Sequence, residues 1–87
     1  MRILLVDDSL FMRKILKDML AELGYTDVAE AALGKEALDE FSKKKPDMVL
    51  LDIILPDTSG DEVLKKMRET NPKAKVIMVT AVGQKSM

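Results

Sequence analysis

Three aspartates and a threonine stand directly after short apolar runs in this chain, and they are the side chains best placed to do chemistry. Asp7 and Asp8 follow Ile3 to Val6, Asp52 follows Met48 to Leu51, and Thr80 follows Val76 to Val79. One aspartate in such a place is an ordinary helix N-cap. Three carboxylates brought together are different, because they repel one another unless a cation sits among them. An all-oxygen set suits magnesium, which takes one or two carboxylates, keeps several waters and leaves room for a phosphate oxygen. A nearby hydroxyl can donate to that same phosphate. The residues therefore point to metal-assisted handling of a phosphoryl group. Composition argues against other chemistries. The 87 residues contain no cysteine and no histidine, so there is no thiolate nucleophile, no imidazole base and no cysteine or histidine ligand for zinc. A formal charge of −1 argues against a nucleic-acid partner and offers nothing to an anionic membrane.

Those residues meet only if the apolar runs lie side by side. Each run is too short for a buried helix, and the first and last are rich in β-branched residues, the pattern of a strand covered on both faces of a parallel sheet. Helical periodicity fills the intervals. A first helix is predicted from Ser9, its N-cap, to Leu23, with Phe11, Ile15 and Met19 in one row and Met12, Leu16, Leu20 and Leu23 beside it; Gly24 ends it. A weak strand is predicted around Asp27 to Ala31. A second helix runs from about Gly34 to Lys44 and buries Ala37, Leu38 and Phe41, with Lys43, Lys44 and Lys45 at the end where the helix dipole favours cations and Pro46 as the stop. A third, from about Gly60 to Glu69, buries Val63, Leu64 and Met67 before Asn71-Pro72. Gly83 to Met87 reads as the start of another helix. The order β-α-β-α-β-α-β implies an α/β fold, a doubly wound parallel sheet in one domain over residues 1–87. Ligands of such sheets bind beyond the carboxyl ends of the strands, at the switch point, which is where the aspartates and Thr80 fall. The N-terminal run reaches two aspartates before it attains the length of a signal or membrane segment, so the expected setting is cytoplasmic.

At this level of detail the chain resembles the receiver (CheY-like) domain of two-component response regulators. The resemblance rests on Leu4-Leu5-Val6-Asp7-Asp8-Ser9, on Leu50-Leu51-Asp52-Ile53-Ile54-Leu55-Pro56-Asp57-Thr58-Ser59-Gly60, and on Val76-Ile77-Met78-Val79 before Thr80-Ala81. Ser9-Leu10-Phe11-Met12-Arg13 is most similar to the chemotaxis branch. The resemblance implies a flavodoxin-like sheet and a phosphorelay role in which Asp52 is the phosphoacceptor, taking its phosphoryl group from a histidine kinase. It implies magnesium as cofactor, with Asp8 and Asp52 as direct ligands, Asp7 acting through a water and the backbone carbonyl of Ile54 completing the set. Thr80 corresponds to the switch hydroxyl and Ala81 to the small residue beside it. Leu10, Phe11 and Met12, at the start of the first helix, are the expected kinase-docking residues. Pro56 and Gly60 suit a turn after the acceptor strand and are read as structural.

The chain also departs from the family pattern. Receivers have a five-stranded sheet in the order 2-1-3-4-5, whereas the expectation here is four strands in the order 2-1-3-4, with the fifth strand and last helices absent. The lysine of the fifth strand then has no counterpart, and Lys85 is not a substitute. Two further readings follow. One is a magnesium-dependent phosphohydrolase of the haloacid dehalogenase type, which needs an aspartate where this chain has Ile54. The other is a phosphotransfer-inert fragment with a structural or dimerising role, because loss of a charge clamp removes transition-state stabilisation. The favoured reading is a signalling module rather than an enzyme. With no strand beyond it, Val76 to Val79 forms an open apolar edge, so a homodimer or a complementing fragment joined there is the expected assembly.

Overall fold

The structure is a computed structural model and describes residues 1–79. Seven elements alternate as the periodicities require: β1 (Ile3–Val6), α1 (Leu10–Glu22), β2 (Val28–Ala31), α2 (Gly34–Lys44), β3 (Met48–Asp52), α3 (Gly60–Thr70) and β4 (Val76–Val79). All strand pairs are parallel, in the order β2-β1-β3-β4. The chain therefore steps from β1 to one side through α1, then crosses back over β1 through α2, which places the switch point between β1 and β3. Continuous apolar strands arise because both sheet faces are covered at the centre: Ile3, Leu4, Leu5 and Val6 are all buried.

Local signals set the helix ends. The Ser9 hydroxyl accepts from the Met12 amide at the start of α1, and Gly24, at φ 94°, follows its end. Ser59 caps α3 in the same way through the Glu62 amide. Lys45 closes α2 in the left-handed region, at φ 49°, immediately before Pro46. The observed bounds differ from the sequence reading by a residue or so: β3 takes in Asp52, α3 extends to Thr70, and β2 begins at Val28.

One face of the sheet carries the main core. Leu4, Val6, Val49 and Leu51 pack there with Ala31, Leu55, Ala37 and Phe41 of α2, and Val63 and Met67 of α3. Leu38 and Leu64, expected in that core, are only half-buried at its margin. The other face differs. α1 buries none of its residues fully. Met12, Leu16 and Leu20 are half-buried, whereas Phe11, Ile15 and Met19 lie exposed. Polar bonds help to hold this helix: Glu30 on β2 accepts from Arg13 at 3.0 Å and from Lys17 at 3.1 Å. Burial raises the Glu30 carboxyl, but the hydrogen bonds and charges of Lys17 and Arg13 together hold it below the usual glutamate range. Among the described residues, no helix is long and apolar enough to cross a membrane.

Candidate metal centre

Two strand ends build the site. β1 delivers Asp7 and Asp8 at its carboxyl end, and β3 finishes on Asp52, both beside the switch point. One carboxylate oxygen from each of Asp7, Asp8 and Asp52 lies within 4.8 Å of the other two. Asp7 is 6% exposed and Asp52 2%, while Asp8 is open to solvent. Buried carboxylates placed together require compensating charge, and an all-oxygen donor set with one solvent-facing member fits a hard divalent cation that retains waters.

The backbone around the acids is closely specified. The Asp7 amide donates to the Ala31 carbonyl at 3.1 Å, and one Asp7 carboxylate oxygen accepts from the Ser9 amide at 2.8 Å. Arg13 of α1 donates to the Asp7 carbonyl while also pairing with Glu30, so it ties the acidic turn to both α1 and β2. On the other side, an Asp52 carboxylate oxygen accepts from the Ile54 amide at 3.3 Å. The segment after Asp52 folds back on itself: Gly60 donates to the Ile53 carbonyl at 2.6 Å, Ile54 pairs antiparallel with Ser59, and Leu55 donates to the Thr58 carbonyl at 3.2 Å. Gly60 is thus more than a turn residue, because it brings the first turn of α3 into backbone contact with the segment that leaves β3.

The structure brings together Asp7, Asp8 and Asp52, and it places Ile54 in the adjoining loop. Leu10 and Phe11 are 70% and 67% exposed on the first turn of α1, while Met12 is half-buried. Thr80 and Ala81 lie outside the described residues, as does the segment Gly83 to Met87. Two residues escape the sequence reading. Arg13 is one; it closes the Ser9-Leu10-Phe11-Met12-Arg13 stretch, but nothing there names its bonds to the Asp7 carbonyl and Glu30. Asp57 is the other, and it caps a helix far from it in sequence: its two carboxylate oxygens accept from the Gly34 amide at 2.8 Å and the Lys35 amide at 3.0 Å. Those two bonds hold its carboxyl below the ordinary aspartate range.

A doubly wound parallel sheet with an acidic, oxygen-donor pocket at its switch point defines the class of flavodoxin-like receiver modules. The comparisons agree. The model of the response regulator receiver domain matches residues 3–87, and the chain belongs to that family. The chemotaxis protein CheY of Thermotoga maritima is 41% identical over 86 residues, which is 99% of this chain and 72% of that protein. Among solved structures, the response regulator TrrA of Thermotoga maritima in complex with Mg(2+)-BeF aligns with a TM-score of 0.88 and 44% identity, covering 92% of this chain and 69% of that one. A CheX-CheY-BeF3-Mg complex from Borrelia burgdorferi aligns with a TM-score of 0.88 and 33% identity, over 98% of this chain and 65% of that one. The chain thus spans about two-thirds of the length of these solved relatives. Receivers are signalling domains of two-component phosphorelays.

Proposed function

We propose that this chain is a phosphoacceptor module, with Asp52 taking a phosphoryl group from a phosphohistidine of a histidine kinase in the cytoplasm. The observation that carries this reading is the meeting of Asp7, Asp8 and Asp52 within 4.8 Å at the switch point of a receiver fold. Asp8 and Asp52 would hold Mg2+ directly, Asp7 through a water, and the Ile54 carbonyl would complete the set. The bound ion supplies neutralisation of charge on the phosphoryl oxygens. A carboxylate oxygen of Asp52 forms the new bond to phosphorus as the phosphorus–nitrogen bond of the donor breaks. The electron pair returns to the imidazole ring, which takes a proton from water. The chain's part is positioning: the Ile54 amide orients the Asp52 carboxylate, and Ser9 and Arg13 hold the Asp7 turn. Thr80 is assigned to the phosphoryl oxygen and Ala81 to the space beside it. Leu10, Phe11 and Met12 are assigned to kinase docking, a role supported for Leu10 and Phe11 by their exposure next to the acidic turn.

The test is incubation with Mg2+ and acetyl phosphate, followed by intact-mass measurement. One added phosphoryl group, lost in Asp52→Asn, is the expected result. No added mass in the unaltered chain would favour the inert-fragment reading.

A second property is proposed on a separate observation. β4 is an edge strand among the described residues, its sequence Val-Ile-Met-Val carries no proline or charge, and Ile77 is 50% exposed. Such an edge is a template for another strand. We propose that a second copy pairs there, a complementing fragment being the other outcome that mass in solution would reveal.

A further inference from the structure

Helix α2 begins without a capping side chain of its own. Its N-cap is Leu33, whose side chain has no acceptor atom, so its first amides need a partner from elsewhere. Glu36 reaches back only to the amides that precede the helix, those of Ala32 at 2.9 Å and Leu33 at 3.3 Å. The helix itself is served by Asp57, which accepts from Gly34 at 2.8 Å and Lys35 at 3.0 Å across 23 and 22 residues of sequence. The approach is close. A β-carbon on Gly34 would lie 2.3 Å from Thr58 Cγ2 and 2.9 Å from Val63 Cγ2, so only glycine lets the loop lie against the start of α2.

Asp57 stands at the tip of the loop whose near end touches the acceptor. That loop is cross-linked along its length by the Gly60–Ile53, Ser59–Ile54 and Thr58–Leu55 pairings. Its Ile54 amide meets the Asp52 carboxylate at 3.3 Å. A short chain of bonds thus runs from the α2 N-terminus through Asp57 and the folded loop to Asp52. We infer that Asp57 is a positioning residue for the acceptor: by anchoring the loop tip to α2 it fixes where Ile54 stands against Asp52, and so sets metal affinity and acceptor reactivity. This inference rests on the phosphoacceptor reading for its activity readout. A plain helix cap would act differently, since its effect would end at α2.

The two roles separate when α2 is given a cap of its own. Leu33→Ser supplies a hydroxyl at the N-cap without tying the loop to the helix. The 87-residue chain is compared with Asp57→Ala, Asp57→Asn and the double variant Asp57→Ala with Leu33→Ser. Three quantities are read: Mg2+ affinity from amide chemical shifts, labelling rate by acetyl phosphate, and the urea midpoint. Asp57→Ala should weaken Mg2+ binding by up to about tenfold, the lower end of what losing a hydrogen bond made directly to a metal ligand costs, and slow labelling. Asp57→Asn, which keeps one oxygen acceptor facing α2, should recover part of both. The double variant should regain the urea midpoint but neither affinity nor labelling rate, and it carries the comparison if Asp57→Ala alone unfolds. Wild-type affinity and rate in the double variant would overturn the inference and leave Asp57 as a cap. If the unaltered chain neither binds Mg2+ nor is labelled, the phosphoacceptor reading falls instead. Hydrogen exchange at the Ile54 amide then decides the positioning role by itself: faster exchange in the double variant supports it, and unchanged exchange rejects it.

Discussion

Gly60 lies so close to Asp52 that a β-carbon at position 60 would stand 2.4 Å from the Asp52 carbonyl oxygen and 2.9 Å from Ile53 Cα. Both neighbours are backbone, so no side-chain rotation relieves the contact. The Gly60 amide also donates to the Ile53 carbonyl at 2.6 Å. α3 is therefore seated directly on the end of β3. Gly60→Ala should destabilise the fold by about 2 kcal/mol, within the range of overpacking substitutions, and should weaken Mg2+ binding by moving Asp52. Urea unfolding with and without Mg2+ checks both effects. An alanine variant of unchanged midpoint and affinity would show that α3 can shift without disturbing the site.

Replacing Asp52, the proposed acceptor, separates chemistry from folding. Asp52→Asn should abolish phosphoryl uptake and weaken Mg2+ binding, yet leave the fold intact, since it removes one charge from a like-charge cluster. Intact mass and circular dichroism read the two halves of this expectation. A phosphoryl group retained by the asparagine variant would place the acceptor elsewhere.

Much of this arrangement was legible in the residues because it is encoded locally. Ser9 and Gly24 bracket α1, Asn71-Pro72 closes α3, and the apolar runs give β1, β3 and β4 nearly to the residue. The aspartates at the ends of β1 and β3 converge because the order β2-β1-β3-β4 puts those strands side by side. What local pattern does not carry is a bond between distant residues. Leu33 at the N-cap of α2 left donors without a local acceptor, but nothing within a helical turn named Asp57 as the group that supplies one. The row of Phe11, Ile15 and Met19 has the same period as that of Met12, Leu16 and Leu20. Periodicity alone does not say that the second row is the one turned toward the sheet.

The exposed start of α1 makes a prediction about partner choice. Leu10 and Phe11 project into solvent while Met12 is half-buried, so polar substitution at the first two should leave the fold nearly unchanged. Leu10→Ser and Phe11→Ser should slow transfer from a phosphorylated histidine kinase while leaving acetyl phosphate labelling unchanged. Equal kinase transfer in all variants would mean that these are incidental apolar side chains, as many surface residues are.

Two acids shape the response to low pH. Hydrogen bonds from the Gly34 and Lys35 amides hold Asp57 below its ordinary range. At Glu30 burial pulls upward, but Lys17 and Arg13 outweigh it. In both cases the unfolded chain binds the proton more readily. Their contribution is therefore fully present above the unfolded values of about 3.9 and 4.3, and is lost as the pH falls through the lower folded values. The urea midpoint should hold between pH 7 and about 5 with respect to these groups and decline below about 4. Asp57→Asn and Glu30→Gln should each flatten that decline, and an acid limb of unchanged slope in both would remove these carboxyls from the account.

Among the described residues the sheet's two edge strands, β2 and β4, are protected unequally, and assembly of the 87-residue chain should follow the weaker one. β2 carries Glu30, engaged by Arg13 and Lys17, whereas β4 is Val76-Ile77-Met78-Val79 with half of Ile77 open to solvent. A charge on an edge strand discourages pairing, and an uncharged apolar edge invites it. Two copies joined antiparallel through β4 would satisfy each other's backbone groups about a twofold axis, the closed solution for identical chains. Sedimentation of the 87-residue chain should then depend on concentration, and its unfolding midpoint should rise with concentration, as mass action requires. Ile77→Lys should shift the equilibrium toward the monomer while costing the fold little, since the position is already half exposed. A monomeric mass with a cooperative, concentration-independent transition would show instead that the β4 edge is tolerated unpaired.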